Sequence, residues 1–328
     1  MVKKQFEISI IIVNYKGWKY LKNCLKSLVD IKKYSFTFEI IVVDNCSNDG
    51  YLSKFKSDFK RVNFYKNTGN NGFANACNLG ALKAKGKYLL FLNPDTIANA
   101  KALEKMLKTA QKNPEIGALS CLQVNQKGQI HDYKKIFLSL GTLFGFLRIF
   151  YRIINKAKLK KQFSDSNKIV YPDWISGSVV FISRIWFDKV AGWNDDYWMY
   201  YEDVDLCKRL SDKGAKIAVL REAQIKHYHG GSSRINYSVK ALTKSEVIKS
   251  RHVYIHKYFN GKKRFLMQLI SMKSQLFSKL ILGIIGIVFF FLKNATLYRK
   301  LFKAVYLYYF SLPYKRAWLS KRSVNYKA

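Results

Sequence analysis

The sequence predicts an α/β fold with a doubly wound core, followed by an entirely helical extension. Three observations carry this expectation. Short, nearly continuous apolar runs alternate with stretches of helical periodicity, which is the pattern of strands buried on both faces between crossover helices. Polar clusters stand at the carboxyl ends of those runs: Asn14-Tyr15, Asp44-Asn45, Asn67 and Asn93-Pro94-Asp95. Ligands of such sheets bind just beyond these ends. From Tyr237 onward the strand pattern disappears and helical spacing takes over.

Taken in order, residues 8–13 (Ile-Ser-Ile-Ile-Ile-Val) read as a buried strand, and residues 18–29, with Leu21, Leu25 and Leu28, as a helix. Residues 38–43 and 62–65 give two further strands, and the Ala- and Leu-rich residues 71–85 a helix ended by Gly86. Residues 88–92 form a fourth strand, 100–111 a helix and 116–122 a fifth strand, joined by right-handed crossovers. Gln126-Lys127-Gly128-Gln129 reads as a hairpin turn. Residues 136–147 carry no charge and are followed by Arg148, Arg152, Lys156, Lys158, Lys160 and Lys161, which suggests an insertion facing lipid or a partner. Residues 174–183 read as a strand, with Ser183 capping a helix over 184–190. Residues 215–220 and 224–229 add two more strands.

The chain has 328 residues, 49% hydrophobic and 16% aromatic, enough for one large or two ordinary domains and too apolar for general disorder. Cys24, Cys46, Cys77, Cys121 and Cys207 are widely spaced without a C-x-x-C, so reduced thiols on the cytoplasmic side are expected. The N-terminal residues lack the apolar core of a signal peptide. Formal charge is +37, and residues 247–328 hold 17 Lys and Arg with no Asp or Glu. Such a block attracts a polyanion, and its long apolar runs favour an anionic membrane surface over nucleic acid. Residues 280–292 are its cleanest apolar stretch; at about 1.5 Å per residue they span about 20 Å, short of the hydrocarbon core of about 30 Å. Basic residues flank this stretch on both sides, so a helix lying in or re-entering the interface is expected rather than an oriented span. The competing interpretation is a non-catalytic basic protein that binds membrane or nucleic acid. It leaves the acids at the ends of the buried strands without a purpose.

Those acids are where chemistry is expected. Residues 194–210 hold Asp195, Asp196, Glu202, Asp203 and Asp205, with Tyr197, Trp198, Tyr200 and Tyr201 running into the Glu202-Asp203 pair. Helical spacing begins near Glu202, so either the carboxylates complement the helix dipole or one of them is a base beside an aromatic wall. Asp44 either caps its turn or accepts from a ribose or base. Asp95, beyond a strand end, offers one hard oxygen, to which a divalent cation would add phosphate oxygens and water. Alternation puts His227 and His229 on one face, ahead of Gly230-Gly231-Ser232-Ser233. His252 and His256 read as a solvated or headgroup-facing helix face. No G-x-G-x-x-G follows the first strand, and neither a P-loop nor a Ser-His-Asp order is present.

The ordered set Ile-Ile-Ile-Val-Asn-Tyr, Val-Val-Asp-Asn-Cys-Ser-Asn-Asp-Gly, Asn70-x-Gly72-Phe73-Ala74-x-Ala76-x-Asn78-x-Gly80, Leu92-Asn93-Pro94-Asp95 and Glu202-Asp203-x-Asp205-Leu206 resembles family 2 glycosyltransferases. The likeness is greatest to the bacterial rhamnosyltransferase-like group of cell-surface polysaccharide synthesis, and it covers about residues 6–235. It implies a GT-A-type mixed sheet, with a nucleotide-sugar half over about 1–125, an acceptor half over about 126–235, and residues 236–328 as a membrane-associating helical extension. By position, Asp203 would be the base, paired with Glu202. Asn14, Asp44, Asn45, Asn70, Gly72, Asn78 and Asn93 would surround the nucleotide sugar, and Trp174, Gly177, Trp193, Trp198 and Tyr201 would wall the sugar or acceptor. Asp95 with His227, or His229, would hold Mg²⁺ or Mn²⁺. The implied reaction is inverting transfer from a nucleoside-diphosphate sugar, dTDP-rhamnose ahead of UDP or GDP sugars, to a glycan or polyprenyl-diphosphate-linked acceptor. The implied setting is the cytoplasmic face of the plasma membrane. Many relatives carry Asp-x-Asp where this chain has Asn93-Pro94-Asp95.

Overall fold

A computed structural model describes residues 6–29, 35–143, 145–164, 166–228 and 236–326. Its centre is β1 (Ile8–Asn14), seven residues without an exposed position. β1 pairs in parallel with β2 (Phe38–Asp44) on one side and β4 (Tyr88–Leu92) on the other, and β3 (Val62–Lys66) extends the parallel set beyond β2. Past β4 the sheet becomes mixed. β8 (Val179–Ser183) lies antiparallel to β4, and β6 (Ile116–Val124) and β9 (Lys216–His227) follow in the order β3-β2-β1-β4-β8-β6-β9-β5. The edge is completed by β5 (Thr96–Ile97) and β7 (Ile169–Val170), both paired with β9.

Alternation along the strands feeds two cores. Ile8, Ile10 and Ile12 face α1 (Trp18–Val29), α2 (Tyr51–Asp58) and α4 (Ala100–Lys112). Ile11 and Val13 face α3 (Phe73–Lys83), α7 (Arg184–Lys189) and α8 (Glu202–Asp212). The expected doubly wound sheet, its strand ends and the helix beginning at Glu202 are all present.

Several expectations need correction. The strand expected over 174–183 starts only at Val179. The backbone before it is diverted into the polar cluster: Gly177 N–H donates to Asp203 and Ser178 C=O accepts from Asn93. The described residues 215–228 hold one strand, β9, not two, and its pairing with β6 slips between Cys121 and Leu122. Helix α2 was not anticipated, and two-residue strands such as β5 and β7 leave no periodicity to read. The charge-free stretch 136–147 is not uniformly outward-facing. Phe137 and Leu138 pack against buried clusters, and the exposed apolar residues come later, at Ile149, Phe150, Ile153 and Ile154 of α5 (Gly145–Ile154). A short α6 (Lys156–Gln162) follows.

Three helices close the chain: α9 (Tyr237–Tyr258), α10 (Gly261–Val288) and α11 (Ala295–Phe310). Their shared core includes Tyr197 and Val204, so the bundle is seated on the segment that carries the acidic motif. His252 is fully buried, not solvated. Its imidazole meets Gln268 Oε1 and Tyr309 Oη, at 2.7 Å for the latter, and stacks on Trp318 with centroids 4.6 Å apart. Burial pushes its pKa down to about 4, which keeps it neutral. His256 is only half-buried, its pKa also lowered by burial. α10 is 28 residues long, far more than the expected apolar stretch, and only 17% of its most apolar window is buried.

Asp205 ties the bundle to the sheet domain. Its side chain has no exposed surface and accepts from Arg209 Nε at 2.6 Å, Lys257 Nζ at 2.8 Å and Tyr258 Oη at 2.7 Å. Burial by itself would raise its pKa, but Arg209 and Lys257 outweigh that and hold the carboxyl below its usual value. Removing one member of such a group strands buried charge, so Asp205→Ala is expected to cost about 3–5 kcal/mol in chemical denaturation. A loss below about 1 kcal/mol, the scale of an exposed ion pair, would show that this link does not hold α8 to α9.

Candidate active site

The site forms where β1, β2, β4 and β6 end and the chain enters α8. Pairing places Asn14 beside Asp44. Asp44 is almost fully enclosed and closes its own turn, accepting from Ser47 N at 3.1 Å, from Ser47 Oγ and from Asn14 Nδ2 at 3.4 Å. Asn14 also accepts from Gly17 N at 3.1 Å. Asn45, likewise buried, donates to Asn70 Oδ1 at 2.9 Å and to Gly72 C=O at 3.1 Å. The side chains of Asn14 and Asn45 therefore build the loops beneath the strand ends rather than presenting themselves to a ligand. Asn78 is corrected in the same way: its amide clamps Trp193 N and C=O at 2.9 Å each and Asp195 at 3.1 Å. Asn70 and Asn93 remain half-exposed.

Gly72 explains the glycine in its motif. It sits at φ +93°, and a Cβ there would lie 2.3 Å from Trp198 O. The next amide, Phe73 N–H, donates to that same oxygen at 3.0 Å. Trp198 Nε1–H in turn donates to Asn70 C=O at 2.9 Å. The aromatic segment is thus fastened backbone to backbone onto the start of α3.

The aromatic wall differs from the expected one. Trp193 is a core residue, 2% exposed, with its ring edge-on to Phe73 and Phe91. Trp198 is 3% exposed and covered by the Arg322 guanidinium, 5.1 Å above its ring. Trp174, Tyr200 and Tyr201, together with Tyr133, border open space and with Asp203 line a cavity of about 520 Å³. Tyr200 and Tyr201 stand at φ +69° and +67°, a left-handed conformation rare for bulky residues, and strained backbone of this kind collects at functional sites. It turns the chain sharply into α8 and delivers Asp203 to the cavity.

Asp203 Oδ2 accepts from Gly177 N–H at 3.0 Å, and Oδ1 from Val204 N–H at 2.9 Å. Burial raises its pKa, while those N–H groups and the charge of Lys135 restrain the rise. Glu202 lies behind it, 6% exposed and outside the cavity lining, with Oε2 lacking a hydrogen-bond partner among the described residues. Burial first, then the Asp203 charge, pushes Glu202 well above the usual glutamate range.

On the other side of the sheet end, Asp95 Oδ1 faces His227 Nε2 at 3.2 Å. His227 Nδ1 lies 2.8 Å from Gln123 Oε1, which also accepts from Ser178 Oγ at 2.7 Å. An imidazole oriented through its second nitrogen is the arrangement metal ligands require. No cluster of three or more His, Cys, Asp and Glu occurs among the described residues. The fit is therefore to a cation with two protein ligands that completes its shell with phosphate and water, as Mg²⁺ and Mn²⁺ do. His229 and Gly230 to Ser233 fall outside the described residues. Gln123 and Lys135 carry no sequence signal and were missed, whereas Tyr200 was expected only as one of the aromatics before Glu202, without its strained backbone.

The family model for glycosyl transferase family 2 matches residues 9–177. The chain is a family 2 glycosyltransferase. A second match, described as the N-terminal domain of galactosyltransferase, covers residues 159–230 of the enzyme. Rhamnosyltransferase WbbL of Escherichia coli (strain K12) is 30% identical over 70% of this glycosyltransferase and 87% of its own length. The N-acetylglucosaminyl-diphospho-decaprenol L-rhamnosyltransferase of Mycobacterium tuberculosis (strain ATCC 25618 / H37Rv) is 24% identical over 69% and 77%. Among solved structures, the mannosyltransferase PcManGT of Pyrobaculum calidifontis, in complex with GDP-Man and Mn²⁺, superposes with a TM-score of 0.54 at 13% identity, covering 93% of the enzyme and 87% of that chain. GalNAc-T7 with UDP, GalNAc and Mn²⁺ gives 0.56 at 15% identity, over 78% and 49%. These likenesses establish the GT-A-type fold.

Because folded Glu202 holds its proton more tightly than the unfolded chain does, stability falls as pH rises above the ordinary value of 4.5. Glu202→Gln should remove that slope, so its melting temperature relative to the parent should rise between pH 5 and pH 8. Parallel curves for the two proteins would show that Glu202 is not held protonated.

Proposed function

We propose that this glycosyltransferase inverts the anomeric carbon of a nucleoside-diphosphate sugar, rhamnose being favoured, and that Asp203 is the base. The acceptor is a glycan or a polyprenyl-diphosphate-linked sugar. The observation that carries this proposal is Asp203 itself: a carboxylate fixed through Gly177 and Val204 N–H groups, with raised proton affinity, at the wall of a cavity lined by Trp174 and Tyr201. Rhamnose and a lipid-linked acceptor are favoured by the relatives' activities.

The donor lies over the ends of β1, β2 and β4, against Asn70 and Asn93, with its base toward the Asp44–Ser47 turn. The acceptor hydroxyl approaches from the cavity and gives its proton to Asp203, a role worth about 10²–10⁴-fold in rate. Trp174 and Tyr201 present ring faces to the sugars and exclude water. Asp95 and His227 would hold a divalent cation on the diphosphate, and when bound that cation offsets the negative charge growing on the leaving group. With only Asp95 where an Asp-x-Asp would give two carboxylates, cation binding rests on the donor's own oxygens.

Membrane association belongs to the same proposal. Phe277, Ile284, Ile287, Phe290 and Phe291 of α10 and the turn after it are 51–72% exposed, in a region with no acid after Glu246. Apolar surface ringed by cations suits an anionic leaflet.

Asp203→Asn should lower turnover at least about 10²-fold while nucleotide-sugar affinity, read by calorimetry, stays unchanged. In the parent enzyme, kcat/KM should fall as pH drops through the raised Asp203 value, above the ordinary 3.8. Near-normal turnover of the variant removes Asp203 as base. Asp95→Asn should weaken Mn²⁺-dependent donor binding, and equal affinity with and without Mn²⁺ in the parent removes the cation. In co-sedimentation, vesicles containing phosphatidylglycerol should pellet the parent and lose Phe290→Asp/Phe291→Asp. Equal pelleting of both would move the contact elsewhere.

A further inference from the structure

The cavity beside Asp203 has a charge that the transfer reaction does not itself require. Its lining includes Lys134, Lys135, Arg148 and Arg152 against two acids, Asp132 and Asp203. Asp203 is committed to the acceptor proton, and Asp132 is paired with Lys135 at 3.4 Å. Lys135 also lies 5.4 Å over the Trp174 ring, so its ammonium is held at the cavity wall. Arg148 donates Nη2–H to Thr142 C=O at 3.2 Å. Neither Arg148 nor Arg152 makes an ion pair with any described residue. An adjoining cavity of about 670 Å³ shares Lys134 and Arg152 and adds Lys156 and Lys160, with Asp132 as the acid among its described lining residues. Neither Asp95 nor His227 lines either space, so these cations are separate from the place the donor's diphosphate occupies.

Arg148 and Arg152 are four apart on α5, hence on one side of it. The same helix exposes Ile149, Phe150, Ile153 and Ile154 at 61%, 61%, 64% and 80%. One short helix thus sets an unpaired guanidinium pair beside the base and an apolar ridge beside that pair. An acceptor with a sugar, then a diphosphate, then a hydrocarbon chain presents those three chemistries in that order.

We propose that Arg148 and Arg152, with Lys134 and Lys135, form the subsite for the diphosphate of a polyprenyl-diphosphate-linked acceptor, and that the α5 ridge receives the start of its hydrocarbon chain. This rests on Asp203 being the base that faces the acceptor. Guanidinium groups suit the task because they stay charged and bind phosphate oxygens two at a time.

The test uses the full chain in EDTA at about 0.15 M salt. Farnesyl diphosphate, farnesol and a soluble ribitol-phosphate oligomer are titrated against the parent, Arg148→Gln/Arg152→Gln, Arg152→Lys and Asp95→Asn. Farnesyl diphosphate should bind parent, Arg152→Lys and Asp95→Asn alike, and should bind the double variant about tenfold or more weakly, while farnesol binds all four alike. Equal affinity for the double variant, no binding by the parent, or a loss confined to Asp95→Asn would overturn the subsite. Tighter binding of the ribitol-phosphate oligomer would overturn the lipid as the source of the phosphate. Binding of a nucleoside diphosphate with added Mn²⁺, measured on the same proteins without EDTA, separates the cases. Its retention by the double variant shows that variant to be folded, and no nucleoside diphosphate binding by the parent, with or without Mn²⁺, would sink the glycosyltransferase mechanism rather than the subsite.

Discussion

The whole site depends on how the chain is held between Trp193 and Glu202. On one side, Asn78, Phe73 and Asn70 grip it through Trp193, Asp195 and Trp198. On the other, Asp205 is locked by Arg209, Lys257 and Tyr258. Only a segment fixed at both ends can keep two consecutive tyrosines left-handed, each costing about 1–3 kcal/mol. That pair of residues sets where α8 begins, and the start of α8 sets where Asp203 points. Position and chemistry are linked here by backbone geometry more than by any side-chain contact to a ligand.

The three acids of the motif show how one turn of helix supports different protonation. Asp205 and Asp203 are two residues apart, yet one value falls and the other rises. Burial acts on both in the same direction. The difference lies in what surrounds them: Asp205 has two cations within 3 Å, whereas Asp203 has N–H groups and a more distant lysine. Glu202 has no cation, and burial, then the Asp203 charge, raises its value against the small help of its own backbone N–H. A neutral neighbour matters for Asp203, because a charged Glu202 would push its value higher still.

The sheet was legible in the sequence because parallel strands buried on both faces must be continuously apolar, and the acids after them stand out. The start of α8 was legible for the same reason, since aromatic, acidic and helical signals change within a few residues. What failed was burial by distant sequence. Trp198 looks like an open sugar-stacking ring beside Tyr200 and Tyr201. It is closed off by Arg322, while Ser323 and Asn325 bond to Asp195 and Asp196. His252 looks like half of a solvated pair, but partners from α10, α11 and beyond enclose it. Such contacts join residues tens to more than a hundred positions apart, and no local periodicity encodes them. Gln123 was unreadable for a different reason: its amide becomes meaningful only once β6 and β9 place it beside His227.

The C-terminal bundle therefore does more than present an apolar surface. Its helices share a core with Tyr197 and Val204, and the tail after α11 covers Trp198. An enzyme whose acceptor hydroxyl must reach Asp203 from a membrane needs the membrane-facing element and the base at a fixed separation. A flexible tether would leave that distance to chance, because linker reach varies with the square root of length. Here the separation is set by packed helices and one buried ion cluster, so the exposed apolar face of α10 and the Asp203 carboxylate belong to one frame. The basic charge is then useful in two places for one reason. In the proposed function, the charge near α10 would draw the protein onto an anionic leaflet, and that beside Asp203 would draw an anionic acceptor into the cavity.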